Sequence, residues 1–154
     1  MEALSGSLYL KTRVCKPVLY RLDERLSTGG ASYDEQASIE HVLPQTVGEL
    51  SEWAQLFPDE TKRSAWTHRI ANLVLLTRRI NSKASNWDFE QKKVKYFATE
   101  DGTSPFILTQ AVLQTKTWSL QYLEERQKQL ISALASVWDL DLTVMDTGTS
   151  PRKL

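Results

Sequence analysis

Ser38-Ile39-Glu40-His41-Val42-Leu43-Pro44-Gln45, SIEHVLPQ, sets an acid directly beside a histidine inside a short apolar run and closes the run with Pro-Gln. Ile39, Val42 and Leu43 give the stretch the look of a strand, and successive strand side chains face opposite ways, so one of the two polar groups is driven toward the interior. A strand that only filled a core has little use for such a pair. Glu40 and His41 can serve separate tasks only where the strand bends or ends, and Pro44 marks such an ending.

Outward from this strand the chain reads as mostly helical. Upstream, Val14 to Leu26 places Val18, Leu19, Leu22 and Leu26 at helical spacing, with Pro17 tolerable near the helix start, and STGGASYDEQ breaks the pattern. Downstream, VGELSEWAQLF and PDETKRSAWTHRI read as helices, the second opened by Pro58-Asp59-Glu60. ANLVLLT follows as a second strand, then RRINSKASN and DFEQKKVKYFA as helices. The last element, TKTWSLQYLEERQKQLISALASVWDL, is a long amphipathic helix with Trp118, Tyr122, Leu130, Leu134 and Val137 along one side. Residues 1–12 and 141–154 lack periodicity and read as flexible ends without chemistry, leaving one domain over 13–140.

Composition bounds the function. A chain of 154 residues with 41% hydrophobic content and five Trp can bury a core. Lys+Arg and Asp+Glu are 19 each, so no global field draws it to a polyanion. Cys15 is the single cysteine, which excludes an internal disulfide and a multi-cysteine zinc site. No run is long enough to span a membrane, and the start lacks the order of a signal peptide, so a cytoplasmic protein is expected.

Glu40, His41, Asn72 and Asn81, followed by Lys83 and Asn86, are the polar residues that interrupt apolar context around the two strands. A strand carrying His, a second strand entered through Asn, and a helix carrying an amide near its start are the parts of a ββα hairpin. IEHVLPQ, IANLVLLT and RINSKASN together resemble the HNH (His-Asn-His) endonuclease motif in its His-Asn-Asn form. The same blocks resemble the C-terminal nuclease domain of the GmrS/GmrD type IV restriction and phage-defence family, and the HNH domain of the RNA-guided CRISPR nucleases. The Trp118, Arg126, Trp138 spacing is similar to the family's helical end, so the likeness covers about Val18 to Leu140. Where many of these proteins have Gly before Asn-Leu, this chain has Ala71.

The resemblance implies an α+β fold, mostly helical, with a ββα-metal hairpin at about 38–86 embedded in flanking helices. It also implies a bacterial, metal-dependent nickase of DNA with little sequence specificity. Phosphodiester hydrolysis needs a base for water, a divalent cation for the developing charge, and a donor for the phosphate. His41 titrates near neutrality when unperturbed and is the candidate general base. Glu40 and Asn81 offer the oxygen ligands that Mg²⁺ (or Mn²⁺) prefers and leave coordination sites open. The family implies that Asn72 fixes the loop carrying His41. Lys83, with Arg78 and Arg79, is the candidate phosphate clamp, and His68 packs the loop or approaches a phosphate.

Two rivals stand beside this reading. One is a catalytically silent DNA-binding module, against which intact Glu40, His41 and Asn81 argue. The other is an RNA substrate, which these residues do not separate from DNA. In the resembled family, recognition and nucleotide control sit in a separate N-terminal domain, and this chain has no GxxxxGK[ST] phosphate loop.

Overall fold

Leu73-Val74-Leu75-Leu76 is apolar on both strand faces, and such a run is stable only where both faces are covered. In a computed structural model, which describes residues 6–28, 37–77, 86–94, 98–99 and 102–138, all four of these side chains are fully buried. They form strand β2 (Leu73–Thr77), antiparallel to β1 (Ala37–His41), with Ile39 opposite Leu75, Glu40 opposite Val74 and His41 opposite Leu73.

The remaining elements are chiefly helical. A 3-10 turn (Leu8–Leu10) leads into α1 (Thr12–Leu26); α2 (Glu52–Leu56) and α3 (Glu60–Thr67) lie between the strands; a second 3-10 turn (Ile70–Asn72) enters β2. Then come α4 (Phe89–Lys92), a two-residue hairpin of β3 (Ala98–Thr99) and β4 (Gly102–Thr103), α5 (Ile107–Leu113) and α6 (Leu120–Val137). The fold is a mostly helical α+β domain. The helix expected over 78–86, the third limb of the expected ββα hairpin, lies outside the described residues but for Asn86.

Helix α1 buries Cys15, Val18, Leu19 and Leu22 at spacings of three and four, the stripe that a core-facing helix needs. It starts two residues earlier than the apolar pattern indicates, so Pro17 lies beyond the first turn. Pro17 has no N–H for the carbonyl of Arg13, and both residues are exposed, on the solvent side of the helix. Asp23 continues the buried stripe and accepts a hydrogen bond from the Leu108 backbone N–H at 2.7 Å. That bond supplies the first turn of α5, whose own N-cap residue, Phe106, makes none. The Thr109 hydroxyl then ties α5 to the Leu75 carbonyl of β2.

Side-chain oxygens set the starts of the short helices. Ser51 caps α2 and Asp59 caps α3 through their side chains, which is why the helices expected over 47–57 and 58–70 begin only at Glu52 and Glu60. Helices α2 and α4 serve one another: Asp88 accepts from the Glu52 N–H at 3.1 Å, and Glu52 accepts from the Phe89 N–H at 3.3 Å. Each carboxylate answers an unpaired donor at the other helix's positive end. Trp53, Phe89 and Trp118 form an aromatic cluster beside this pair, Trp53 edge-on to Phe89 at 6.0 Å between centroids and Phe89 tilted against Trp118 at 5.6 Å.

Helix α6 reaches the entry to β2. Its Gln127 accepts from the Ala71 N–H at 3.0 Å, and its Arg126 donates to the Ala71 carbonyl at 3.0 Å. Both backbone polar groups of the buried Ala71 are thereby satisfied by a single helix. Ala71 lies in the 3-10 turn, whose right-handed backbone suits any residue, so a glycine is not required there. Trp118, read from sequence as part of the last helix, precedes its cap, Ser119.

Candidate active site

Strand β1 ends at His41, and its last two side chains go to opposite sides and meet different partners. Glu40 meets Lys92 of α4: Lys92 Nζ donates to Glu40 Oε1 at 2.8 Å and to the His41 carbonyl at 2.7 Å. Lys92 is 1% exposed and Glu40 8%, so this is a buried ion pair with a backbone bond added. Burial lowers the Lys92 ammonium from its usual value, and Glu40 opposes that shift. The position of Lys92 follows from the Glu52 and Asp88 exchange, which seats α4 against the end of β1.

On the other side, His41 Nε2 lies 3.2 Å from Nδ1 of His68, at the C-terminal end of α3. These are the chain's two histidines, 27 residues apart and brought into contact. Tyr9, from the first 3-10 turn, closes the group. Its ring stacks on His68 at 5.3 Å between centroids and meets His41 edge-on at 4.3 Å, and its N–H donates to the His68 carbonyl at 3.1 Å. Within residues 1–12, read from sequence as a loose end without chemistry, Leu8 is wholly buried and Tyr9 lies against both rings.

Asn72 holds the two histidine segments together. Its Oδ1 accepts from the Leu43 N–H at 2.7 Å and from Trp118 Nε1–H at 3.0 Å. Its Nδ2 donates to the carbonyls of Leu43 at 2.8 Å and Thr67 at 2.9 Å. Both lone-pair directions and both hydrogens of the amide are used. Leu43 lies two residues after His41 and Thr67 lies just before His68, so one buried side chain joins both segments and anchors them to Trp118. The second backbone link is Val42 N–H to the Asn72 carbonyl at 3.0 Å.

The electrostatics favour a neutral His41. Burial, with His68 and Lys92 nearby, lowers its imidazole from 6.5 to about 3. The folded value is depressed below the unfolded one, so the associated stability is fully present above pH 6.5 and is lost as pH falls toward 3. Across that window the slope approaches one proton, about 1.4 kcal/mol per pH unit. Urea unfolding at a series of pH values between 7 and 4 is therefore expected to show wild type losing stability more steeply than His41→Gln. Parallel curves for the two proteins would contradict a buried neutral imidazole.

Arg78, Arg79, Asn81 and Lys83 lie outside the described residues, so the proposed phosphate clamp and second ligand have no described geometry. Among the described residues, no group of three or more His, Cys, Asp or Glu gathers as a metal site. Glu40 offers a hard oxygen of the kind Mg²⁺ takes. Lys92 engages one of its oxygens, and the other has no hydrogen-bond partner among the described residues. One carboxylate with an amide and waters fits a cation that keeps most of its hydration shell. Cys15 is no competitor, since burial pushes its thiol up to about 11. No helix among the described residues is long and apolar enough to cross a membrane.

Lys92 and Tyr9 are the residues that sequence reasoning missed. Phe89 and Lys92, three apart, share the inward face of α4, and that spacing was the available signal. It is ambiguous because Lys93 stands beside Lys92, and Lys93 reaches instead to Glu90 and the Thr115 carbonyl. Nothing local marks Tyr9. The family model described as GmrSD restriction endonucleases, C-terminal domain, matches residues 3–133. No curated protein matches the chain.

Proposed function

The chain belongs to the GmrSD restriction endonuclease C-terminal domain family, and from that premise we propose that it is a divalent-metal-dependent HNH nuclease domain that nicks DNA. The observation that carries the reading is the end of β1. There a carboxylate and a neutral imidazole leave adjacent backbone positions for opposite sides, and Asn72 locks the loop that follows them.

In this reading His41 takes a proton from the attacking water. An imidazole held neutral is ready for that task at any pH near 7. Its depressed pKa makes it a weak base when the site is empty, and the negative charge of an entering phosphodiester raises it toward a useful value. Glu40 and Asn81 would hold Mg²⁺ or Mn²⁺, which offsets charge on the scissile phosphate and the leaving oxygen. Lys92 holds the Glu40 carboxylate and the His41 carbonyl in one grip, fixing the strand end. Its charge partly neutralises Glu40, so metal affinity should be weak. Lys83, Arg78 and Arg79 would clamp the flanking phosphates. Asn72 touches neither metal nor water and acts through the loop.

The family description names restriction endonucleases and a C-terminal domain, which supports a DNA substrate, a partner domain ahead of this one and a role in defence against phage. With 19 positive and 19 negative residues, the chain has little field of its own to hold DNA, so recognition belongs to that partner. One copy of the site handles one phosphate of one strand. Supercoiled plasmid is thus expected to pass first to open circles in a Mg²⁺- or Mn²⁺-dependent manner, with linear DNA later, as nicks accumulate on opposite strands. Glu40→Ala should lose most of this activity and regain part of it at high Mn²⁺. Cleavage by wild type in excess chelator, or a Glu40→Ala defect indifferent to metal concentration, would overturn the ligand assignment.

A further inference from the structure

We propose that His68 is a positioning residue for His41, accepting the Nε2–H of His41 and so holding that ring in the tautomer whose Nδ1 is free to take a proton. The proposal rests on the reading of His41 as general base and adds to it the nitrogen that works and the group that selects it.

The contact between His41 Nε2 and His68 Nδ1, at 3.2 Å, has room for one hydrogen. If His68 supplied it, His41 would carry its own proton on Nδ1 and have no lone pair left for water. If His41 supplies it, Nδ1 is bare. A neutral histidine has one donor and one acceptor nitrogen, and the bond made by the first fixes the role of the second. Among the described residues Nδ1 of His41 has no hydrogen-bond partner, yet none of their buried side-chain nitrogens or oxygens lacks one. Nδ1 is therefore the nitrogen that reaches the surface.

The pair is built, and not a chance approach of two side chains. The Asn72 amide holds Leu43 and Thr67, one flanking each histidine. Tyr9 lies nearly parallel to His68, at 10° between planes, and at 74° to His41, which sets the two imidazoles 79° apart. Three elements distant in sequence thus fix the ring planes that aim Nε2 at Nδ1. When Nδ1 of His41 takes a proton during reaction, the Nε2–H bond to His68 becomes charge-assisted and keeps the ring in place. A carboxylate plays this part for histidine in hydrolase triads.

The test is the tautomer itself, read by long-range ¹H–¹⁵N spectra of the ¹⁵N-labelled full chain at neutral pH. With two histidines, His41→Gln and His68→Asn assign the signals. Wild-type His41 is expected to show a protonated Nε2 and an unprotonated Nδ1. His68→Phe keeps a ring under Tyr9 but accepts nothing, and is expected to give a mixed His41 tautomer with kcat lowered roughly 10- to 100-fold and KM little changed. His68→Asn, whose amide oxygen stands near the Nδ1 position, should restore the tautomer and most of kcat, and it tests the idea if the Phe variant does not fold. A wild-type His41 protonated on Nδ1, or a folded His68→Phe with unaltered tautomer and kcat, overturns the proposal. Should the expected tautomer appear in a wild-type protein that cuts no DNA, the general-base reading falls while the pairing stands.

Discussion

A folded His41→Ala protein is expected to nick plasmid DNA more slowly than wild type by a factor on the order of 10² to 10⁴, the range that a positioned general base contributes. The imidazole is neutral, lies at the end of β1 and has one open nitrogen, while Lys92, Glu40 and the Asn72 clamp remain in the variant. The loss should therefore fall on kcat and leave metal dependence unchanged. Far-ultraviolet circular dichroism and a thermal melt establish that the variant is folded; a folded His41→Ala protein cutting at near wild-type rate removes His41 from the reaction.

The second large effect is structural. Asn72→Ala strips partners from the Leu43 N–H, the Leu43 and Thr67 carbonyls and the Trp118 indole N–H, all in the interior. A buried polar group left unpaired costs about 1–3 kcal/mol, so the four together amount to roughly 4 kcal/mol or more. For a domain of this size that lowers the melting temperature by on the order of 10 °C. Activity should fall as well, because the segments bearing His41 and His68 lose their common tie. A rate defect in Asn72→Ala with an unchanged melting temperature would mean that the amide acts directly on the reacting groups.

These effects differ in how far the sequence foretold them. The two strands were legible because their patterns are local: the acid and histidine in an apolar run, and Leu73 to Leu76 with no polar face. Helix α1 was legible through its stripe, missing only its start, since exposed first-turn residues carry no periodic signal. Helix α5 went unread because ILTQAVL is a short apolar run with β-branched residues, equally fit for strand or helix, and the bond that opens it comes from Asp23, 85 residues away. The Lys92 grip on Glu40 spans 52 residues and the histidine contact 27. Such pairings are set by how helices dock, which no window along the chain contains. Asn72 stands between these cases. Its identity was plain from the motif, but its link to Thr67 and Trp118 belongs to the fold.

The hold of helix α6 on Ala71 also orders events in time. Protein synthesis delivers the N-terminal part first. Tyr9, Glu40, His41, His68 and Asn72 all leave the ribosome while Trp118, Arg126 and Gln127 are still to be added. Until those three arrive, the Asn72 amide has an empty acceptor position and the Ala71 N–H and carbonyl have neither of their partners. A nascent chain thus carries both histidines without the frame that aims them. For an enzyme that cuts nucleic acid, translation itself works as a safety catch, released when the closing helix emerges.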